Sequence, residues 1–126
     1  MKKILLSFIT IFSMMFTSVS FAEWTLVSTG VDGDEFFVDF DRIRKNDGFI
    51  YYWVLTNRLE PTKNGTLSTQ EYNKADCKLF RIQNLSFSFY KLQNADGEGI
   101  TDTTVQDWNY PQPNSVYEIL LNSVCK

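Results

Sequence analysis

From Trp24 onward the chain alternates between short runs of large apolar residues and clusters of Gly, Asp, Asn and Pro. Period-two alternation bounded by turn residues predicts strands. Trp24 to Ser28 is the first and is short. The turn "GVDGDE" (Gly30 to Glu35) leads into Glu35 to Phe40, and "RKNDG" (Arg44 to Gly48) opens the run "FIYYWVLTNR" (Phe49 to Arg58). That run is dense in aromatic and β-branched residues, which suit a packed, pleated surface. Pro61 to Gly65 breaks it. Thr66 to Asp76 follows, polar in places. In Lys78 to Lys91, Leu85, Phe87 and Phe89 share one face, and Ser86, Ser88 and Tyr90 the other. "NADGEG" (Asn94 to Gly99) turns the chain into Ile100 to Gln106, a candidate edge strand.

The period changes after Pro111 and Pro113, at "NSVYEILLNSVCK". Val116, Ile119, Leu120 and Val124 fall within a stripe of about 140° at roughly 100° per residue, and Tyr117 and Leu121 widen it. Ser115, with Glu118 three residues on, makes a capping box at the helix start, each side chain reaching the other's backbone N–H. The apolar stripe needs a cover, and the sheet is the surface available. The fold class is therefore α+β: a single domain with an antiparallel twisted sheet of about six strands and a C-terminal helix packed on one face.

One strand does not obey the one-sided pattern of such a sheet. Phe49, Tyr51, Trp53 and Leu55 lie on one side of it, and Ile50, Tyr52 and Val54 on the other. Its neighbour repeats this, with Phe36, Val38 and Phe40 opposite Phe37. One helix covers one face. Either the N-terminal strand, the Gln93–Pro113 segment and neighbouring side chains cover the second face, or it presents an aromatic patch that self-associates or binds a protein. Tyr51, Tyr52, Trp53 and Phe37 are the candidate interaction residues.

The N-terminus "MKKILLSFITIFSMMFTSVSFAEW" has the parts of a secretory signal: basic Lys2 and Lys3, an apolar run Ile4 to Phe16, and small Ser20 and Ala22 before a cleavage point after Ala22. As a helix the apolar run reaches about 20 Å, short of the ~30 Å hydrocarbon core, so it reads as a signal and not as a membrane anchor. Cleavage leaves residues 23–126 as one soluble domain, periplasmic or secreted. No cysteine stands near the cleavage point to form a lipobox. Losing Lys2 and Lys3 from the 12 basic residues leaves 10 against 15 acidic ones, a net −5. Nucleic acid and anionic lipid surfaces both select a basic face, which this charge balance disfavours.

In an oxidising compartment the two cysteines, Cys77 and Cys125, are expected to pair. Cys125 stands on the last turn of the helix, and Cys77 where the Leu85–Phe87–Phe89 strand begins. A disulfide between them ties the helix end across the inner face of the sheet.

Chemistry is sparse. The chain has no histidine, which rules out Ser-His-Asp and Cys-His catalysis and removes the commonest metal ligand. The acidic cluster Asp32, Asp34, Glu35, Asp39 and Asp41 lacks the glycine and bidentate glutamate positions of a calcium loop, and reads as a solvated turn. Asp39 and Asp41, two apart on a strand, stand about 7 Å apart on one face, a spacing common in ordinary strands. No catalytic residue, metal ligand or cofactor is assigned.

Together "EWTLVS", "FFVDFDRI", "FIYYWVLTNRLEP", "DCKLFRIQNLSFSFY", the lone Trp108 and "PNSVYEILLNSVC" resemble the surface-adhesin protein E family of Gram-negative bacteria. The most specific elements are the Asp76-Cys77 pair, Cys125, and Ser115 opening the last helix. The resemblance covers essentially all of the chain after the signal. It implies a six-stranded antiparallel sheet whose concave side holds a C-terminal helix tethered by one disulfide. It also implies adhesion, since the family includes an outer-membrane lipoprotein that binds host extracellular-matrix proteins; this chain has no lipobox. The leading expectation is an exported, non-enzymatic interaction domain acting through a sheet face and loops. The alternative is a soluble periplasmic accessory protein that binds a small ligand or an envelope component between helix and sheet.

Overall fold

The computed structural model describes residues 23–126; the signal segment 1–22 and its cleavage point lie outside the described residues. The elements are β1 (Thr25–Thr29), β2 (Glu35–Val38), β3 (Arg44–Asn46), β4 (Phe49–Asn57), β5 (Ser68–Asp76), β6 (Arg81–Tyr90), β7 (Gly99–Asp102) and the helix α1 (Val116–Val124). The strands form one antiparallel sheet in the order β1-β2-β4-β5-β6-β7, with β3 also paired to β4. Every pair of strands adjacent in sequence, β2 and β3 excepted, is hydrogen-bonded, because the connections are turns and loops too brief for a crossover.

The sheet has seven strands where about six were expected. The extra one, β3, comes from "RKN" in the predicted turn. It shares an edge of β4 with β2: β2 pairs with Val54 to Asn57, β3 with Phe49 to Tyr51. The chain leaves the sheet between them in a 3-10 turn, Phe40–Arg42, capped by Asp39, whose Oδ1 accepts the Asp41 N–H at 3.1 Å. Asp47 and Gly48 then close a two-residue hairpin with φ of 52° and 81°. Positive φ at both positions matches the right-handed twist of the flanking strands. Asp41 is accordingly in a turn and not on a strand, and the expected same-face pair with Asp39 does not form.

Residues directly paired across strands share a face. Tyr52, Val54 and Thr56 of β4 stand opposite Asn73, Glu71 and Thr69 of β5, which in turn oppose Asn84, Phe87 and Phe89 of β6. This is the inner face, toward α1. A register shift between Tyr72 and Asn73 leaves Leu85 unpaired on β6 and puts Ile82 and Asn84 on the same side as Phe87 and Phe89. Val38, Tyr52, Val54, Ala75 and Ile82 meet Leu120, Leu121 and Val124 of the helix to form the buried core.

On α1 the stripe is rotated from the expected one. Leu121 is fully buried, whereas Ile119 is 42% exposed. Ser115 Oγ accepts the Glu118 N–H at 3.2 Å, as a cap does. The return bond differs from the expected box: Glu118 Oε1 accepts from Asn114 N–H at 3.1 Å, because Ser115 N–H already donates to Gln112 O.

Cys77 and Cys125 form a disulfide, with Cα atoms 5.5 Å apart and the residues 48 positions apart in sequence. Asp76 sets the approach. Its Oδ1 accepts the N–H groups of Lys78 and Leu79 at 3.2 and 3.1 Å, and its Oδ2 takes Arg81 Nε at 3.0 Å. The Leu79 N–H, then Arg81 and the Lys78 N–H, hold this carboxyl below the ordinary aspartate range against its partial desolvation. These bonds hold the turn that carries Cys77.

Candidate interaction face

The face turned away from α1 carries the odd residues of β4. Phe49, Tyr51 and Trp53 line up there with Lys74 and Tyr72 of β5 and, across β2, with Phe37 paired to Leu55. Tyr51, Trp53 and Phe37 are half-buried on this outer face. Tyr52 does not join them. It is 0% exposed, on the inner face beneath the helix, because alternation sends it to the opposite side from Tyr51 and Trp53. Four candidates thus divide three to one.

Both ends of the outer face are covered, without a second helix. At the β3 end Trp108 lies 5.7 Å from Phe49, centroid to centroid. Arg81 stands over the Trp108 ring at 4.3 Å, and Lys74 Nζ over Phe49 at 4.2 Å and Trp108 at 5.6 Å. Trp108 is held there by its neighbour Asn109, whose backbone exchanges two hydrogen bonds with Ile82, each 2.9 Å. At the other end the 3-10 segment Gln93–Ala95 clasps β4 and β5. Asn57 Nδ2 donates to Asn94 Oδ1 and Asn94 N–H to Asn57 Oδ1, both at 2.8 Å, and Ala95 N–H donates to Ser68 Oγ at 2.9 Å. The Gln93–Pro113 segment therefore provides the expected cover at the two ends.

The middle stays open. Tyr72 packs between Trp53, at 4.6 Å, and Tyr51, at 6.1 Å. Beside them Asp41, Arg42, Ile43, Arg44, Trp53 and Tyr72 line a shallow cavity of about 550 Å³. Arg42 Nε approaches Asp39 Oδ2 at 3.3 Å without completing a hydrogen bond, and Arg44 is exposed. Tyr72, Arg42 and Arg44 are the residues that sequence reasoning left out. Tyr72 was legible in principle: in a strand opposite Trp53, parity alone puts it on the same face.

Glu71 occupies the inner face and is buried. Desolvation pushes its carboxyl above the ordinary glutamate value, while hydrogen bonds from Asn73 and Tyr117 and the charge of Arg58 act in the opposite sense. Asn73 Nδ2 and the Tyr117 hydroxyl stand 3.3 and 3.4 Å from its oxygens. Burial and the Glu71 charge push the Tyr117 phenol up to about 12. Burial likewise raises Tyr52, whose hydroxyl has no hydrogen-bond partner.

The acidic cluster does not gather. Asp34 Oδ1 accepts from Leu59 N–H at 3.2 Å and its Oδ2 faces Arg58 at 3.6 Å, while Asp39 caps a turn. Among the described residues no three His, Cys, Asp or Glu side chains converge on a common point as a metal site would require, and no helix is long and apolar enough to cross a membrane.

The family model described as surface-adhesin protein E matches residues 24–126. No functionally curated protein matches the chain. Among solved structures, three of Haemophilus influenzae protein E are similar in fold. Crystal form II superposes with a TM-score of 0.64 at 13% identity, covering 86% of this chain and 91% of that one. The selenomethionine form gives 0.62 at 13%, with 86% and 89% covered, and a third structure 0.60 at 11%, with 86% and 87%. At such identities the likeness establishes the architecture: the antiparallel sheet with its C-terminal helix.

Proposed function

This chain belongs to the surface-adhesin protein E family, and on that premise we propose that it is an exported, non-enzymatic domain that docks an extracellular or host protein on the outer face of its sheet. The signal segment 1–22, cleaved after Ala22, delivers residues 23–126 as the working domain. The observation that carries the reading is the open middle of the outer face. Trp53, Tyr72 and Tyr51 pack there as tilted rings beside Arg42 and Arg44, between two ends already closed by Trp108 and by Gln93–Ala95. Tyr, Trp and Arg are the residue types that dominate binding hot spots, because they bury large rigid area and still offer hydrogen bonds.

The test is solid-phase binding of the full chain, recovered from the fraction to which it is exported, to immobilised extracellular-matrix proteins and to host cells. A Trp53→Ala/Arg44→Glu variant is expected to bind at least about tenfold more weakly, with its circular dichroism unchanged. Equal binding by the two proteins would remove the outer face from the reading. Sedimentation of the same pair separates docking from self-association through the same patch.

A further inference from the structure

The inner face is longer than the helix that covers it. Nine residues of α1 span about 13 Å, whereas β4, β5 and β6, of nine, nine and ten residues, run about 30 Å. Leu120, Leu121 and Val124 sit over Tyr52, Val54, Ala75 and Ile82. Near Thr56, Glu71 and Phe87, Tyr117 from the first turn of the helix reaches the sheet, its hydroxyl 3.4 Å from Glu71 Oε1. Two open cavities lie there, of about 380 and 430 Å³, and they meet on three shared residues, Arg58, Thr69 and Phe89. Each falls within the range of about 300–1,000 Å³ typical of small-molecule sites.

Arg58 and Thr69 have something in common besides position. Arg58 Nε and Thr69 Oγ1 are both sealed from solvent and neither has a hydrogen-bond partner. Thr69 is only 5% exposed. Of the other two such atoms among the described residues, Asp39 Oδ2 faces Arg42, and the Tyr52 hydroxyl lies under the helix and lines neither cavity. Unpartnered buried donors are rare in native proteins; these two lie beneath one groove, and the Arg58 side chain, 34% exposed, is the part that an acceptor from outside the chain meets first. A carboxylate has two acceptor oxygens and the charge that complements a guanidinium. The Glu71 carboxyl is turned to Asn73 and Tyr117 and makes no hydrogen bond to either donor, although the Arg58 guanidinium faces its charge and, through Nη1, Asp34 Oδ2 at 3.6 Å. The larger part of the walls is apolar, with Phe36, Phe87 and Tyr117 on one side, Ile100 on the other and Phe89 between; Glu71 and, at the far end, Asn64 and Lys91 are among the polar part.

The geometry points to this groove as a binding site for a small amphipathic monocarboxylate, its carboxylate held by Arg58 and Thr69 and its acyl or aryl part laid against Phe87, Phe89 and Ile100. The site is independent of the outer-face reading, since it lies on the opposite side of the sheet.

Calorimetric titration of the purified full chain with dodecanoate, dodecan-1-ol and dodecylamine tests it. Dodecanoate is expected to bind with one-to-one stoichiometry and about tenfold or more tighter than the alcohol, the effect of a charge-assisted hydrogen bond. Thr69→Val, which keeps the shape and removes the donor, and Arg58→Gln should each weaken dodecanoate about tenfold while leaving the alcohol unchanged. Trp53→Ala should leave dodecanoate binding intact. Arg58 also faces Asp34, so thermal melts check that variant, and Thr69→Val carries the test if Arg58→Gln unfolds. Equal affinity for acid and alcohol, preference for the amine, binding unaffected by Thr69→Val, or adsorption of many molecules per chain would each overturn the proposal.

Discussion

The two faces of this sheet bury aromatic and aliphatic side chains by different means. On the inner face a separate layer does it. The helix lays Leu120, Leu121 and Val124 on Tyr52, Val54 and Ile82, and the Cys77–Cys125 bond anchors its C-terminal end. On the outer face there is no layer. Lys74 and Arg81 lay their cationic ends on Phe49 and Trp108, and the loop after β6 clasps Asn57 and Ser68 through hydrogen bonds. A layer gives a dry, close-packed interior whose strength rests on one tether. Lacing by long side chains leaves rings half-covered, which stabilises less but keeps a surface on which a partner can land.

Removing the tether is expected to have the largest effect. Cys125→Ser should lower the unfolding free energy by about 4 kcal/mol, the chain-entropy value for a loop of this length. A denaturant titration measures it, and reduced wild-type protein should match the variant. An outer-face truncation should cost less. Trp108→Ala gives up an aromatic pair and the contacts with Arg81 and Lys74, together about 2 kcal/mol by the same titration. If the two variants prove equally destabilised, the contrast between a tethered layer and side-chain lacing disappears.

The smallest effect is one of slope. Glu71 binds its proton more tightly in the folded state, so between the ordinary value of 4.5 and its raised value the native protein holds more protons than the unfolded chain. Stability from this group is present below that window and is lost as pH rises through it. Asp76 acts in the opposite sense at lower pH: its depressed carboxyl contributes above the ordinary aspartate value, and that contribution is lost as pH falls through the depressed one. Glu71→Gln should therefore flatten the decline of unfolding free energy above pH 4.5, while Trp108→Ala keeps it. An unchanged slope in Glu71→Gln would assign the pH dependence elsewhere.

Much of the fold was legible because it depends on local rules. Alternation and turn residues located β1, β2 and β4 to β7, Ser115 marked the helix start, and the compartment argument paired Cys77 with Cys125. β3 was missed because "RKN" has no apolar face to alternate, although the following Asp-Gly pair is a two-residue hairpin signal. The candidate face was half-legible. Parity separates Tyr52 from Tyr51 and Trp53, yet grouping residues by their aromatic character put all of them together. Arg42 and Arg44 reach that face only because the 3-10 turn at Phe40–Arg42 swings the chain out of the sheet and back. The inner groove left no mark in the sequence. It depends on where a nine-residue helix stops along a longer sheet, and on Arg58 and Thr69 meeting across two strands.

By itself the sequence determined the strands, the helix, the pairing of the sulfurs and the absence of histidine chemistry, because propensity, period and thiol redox state act within a few residues or on composition. Only the tertiary structure decided which face each aromatic joined, what covered the second side of the sheet and where two donors were left without acceptors. Those outcomes rest on contacts between residues far apart in the chain, and burial, which sets their energies, is a property of the assembled fold alone.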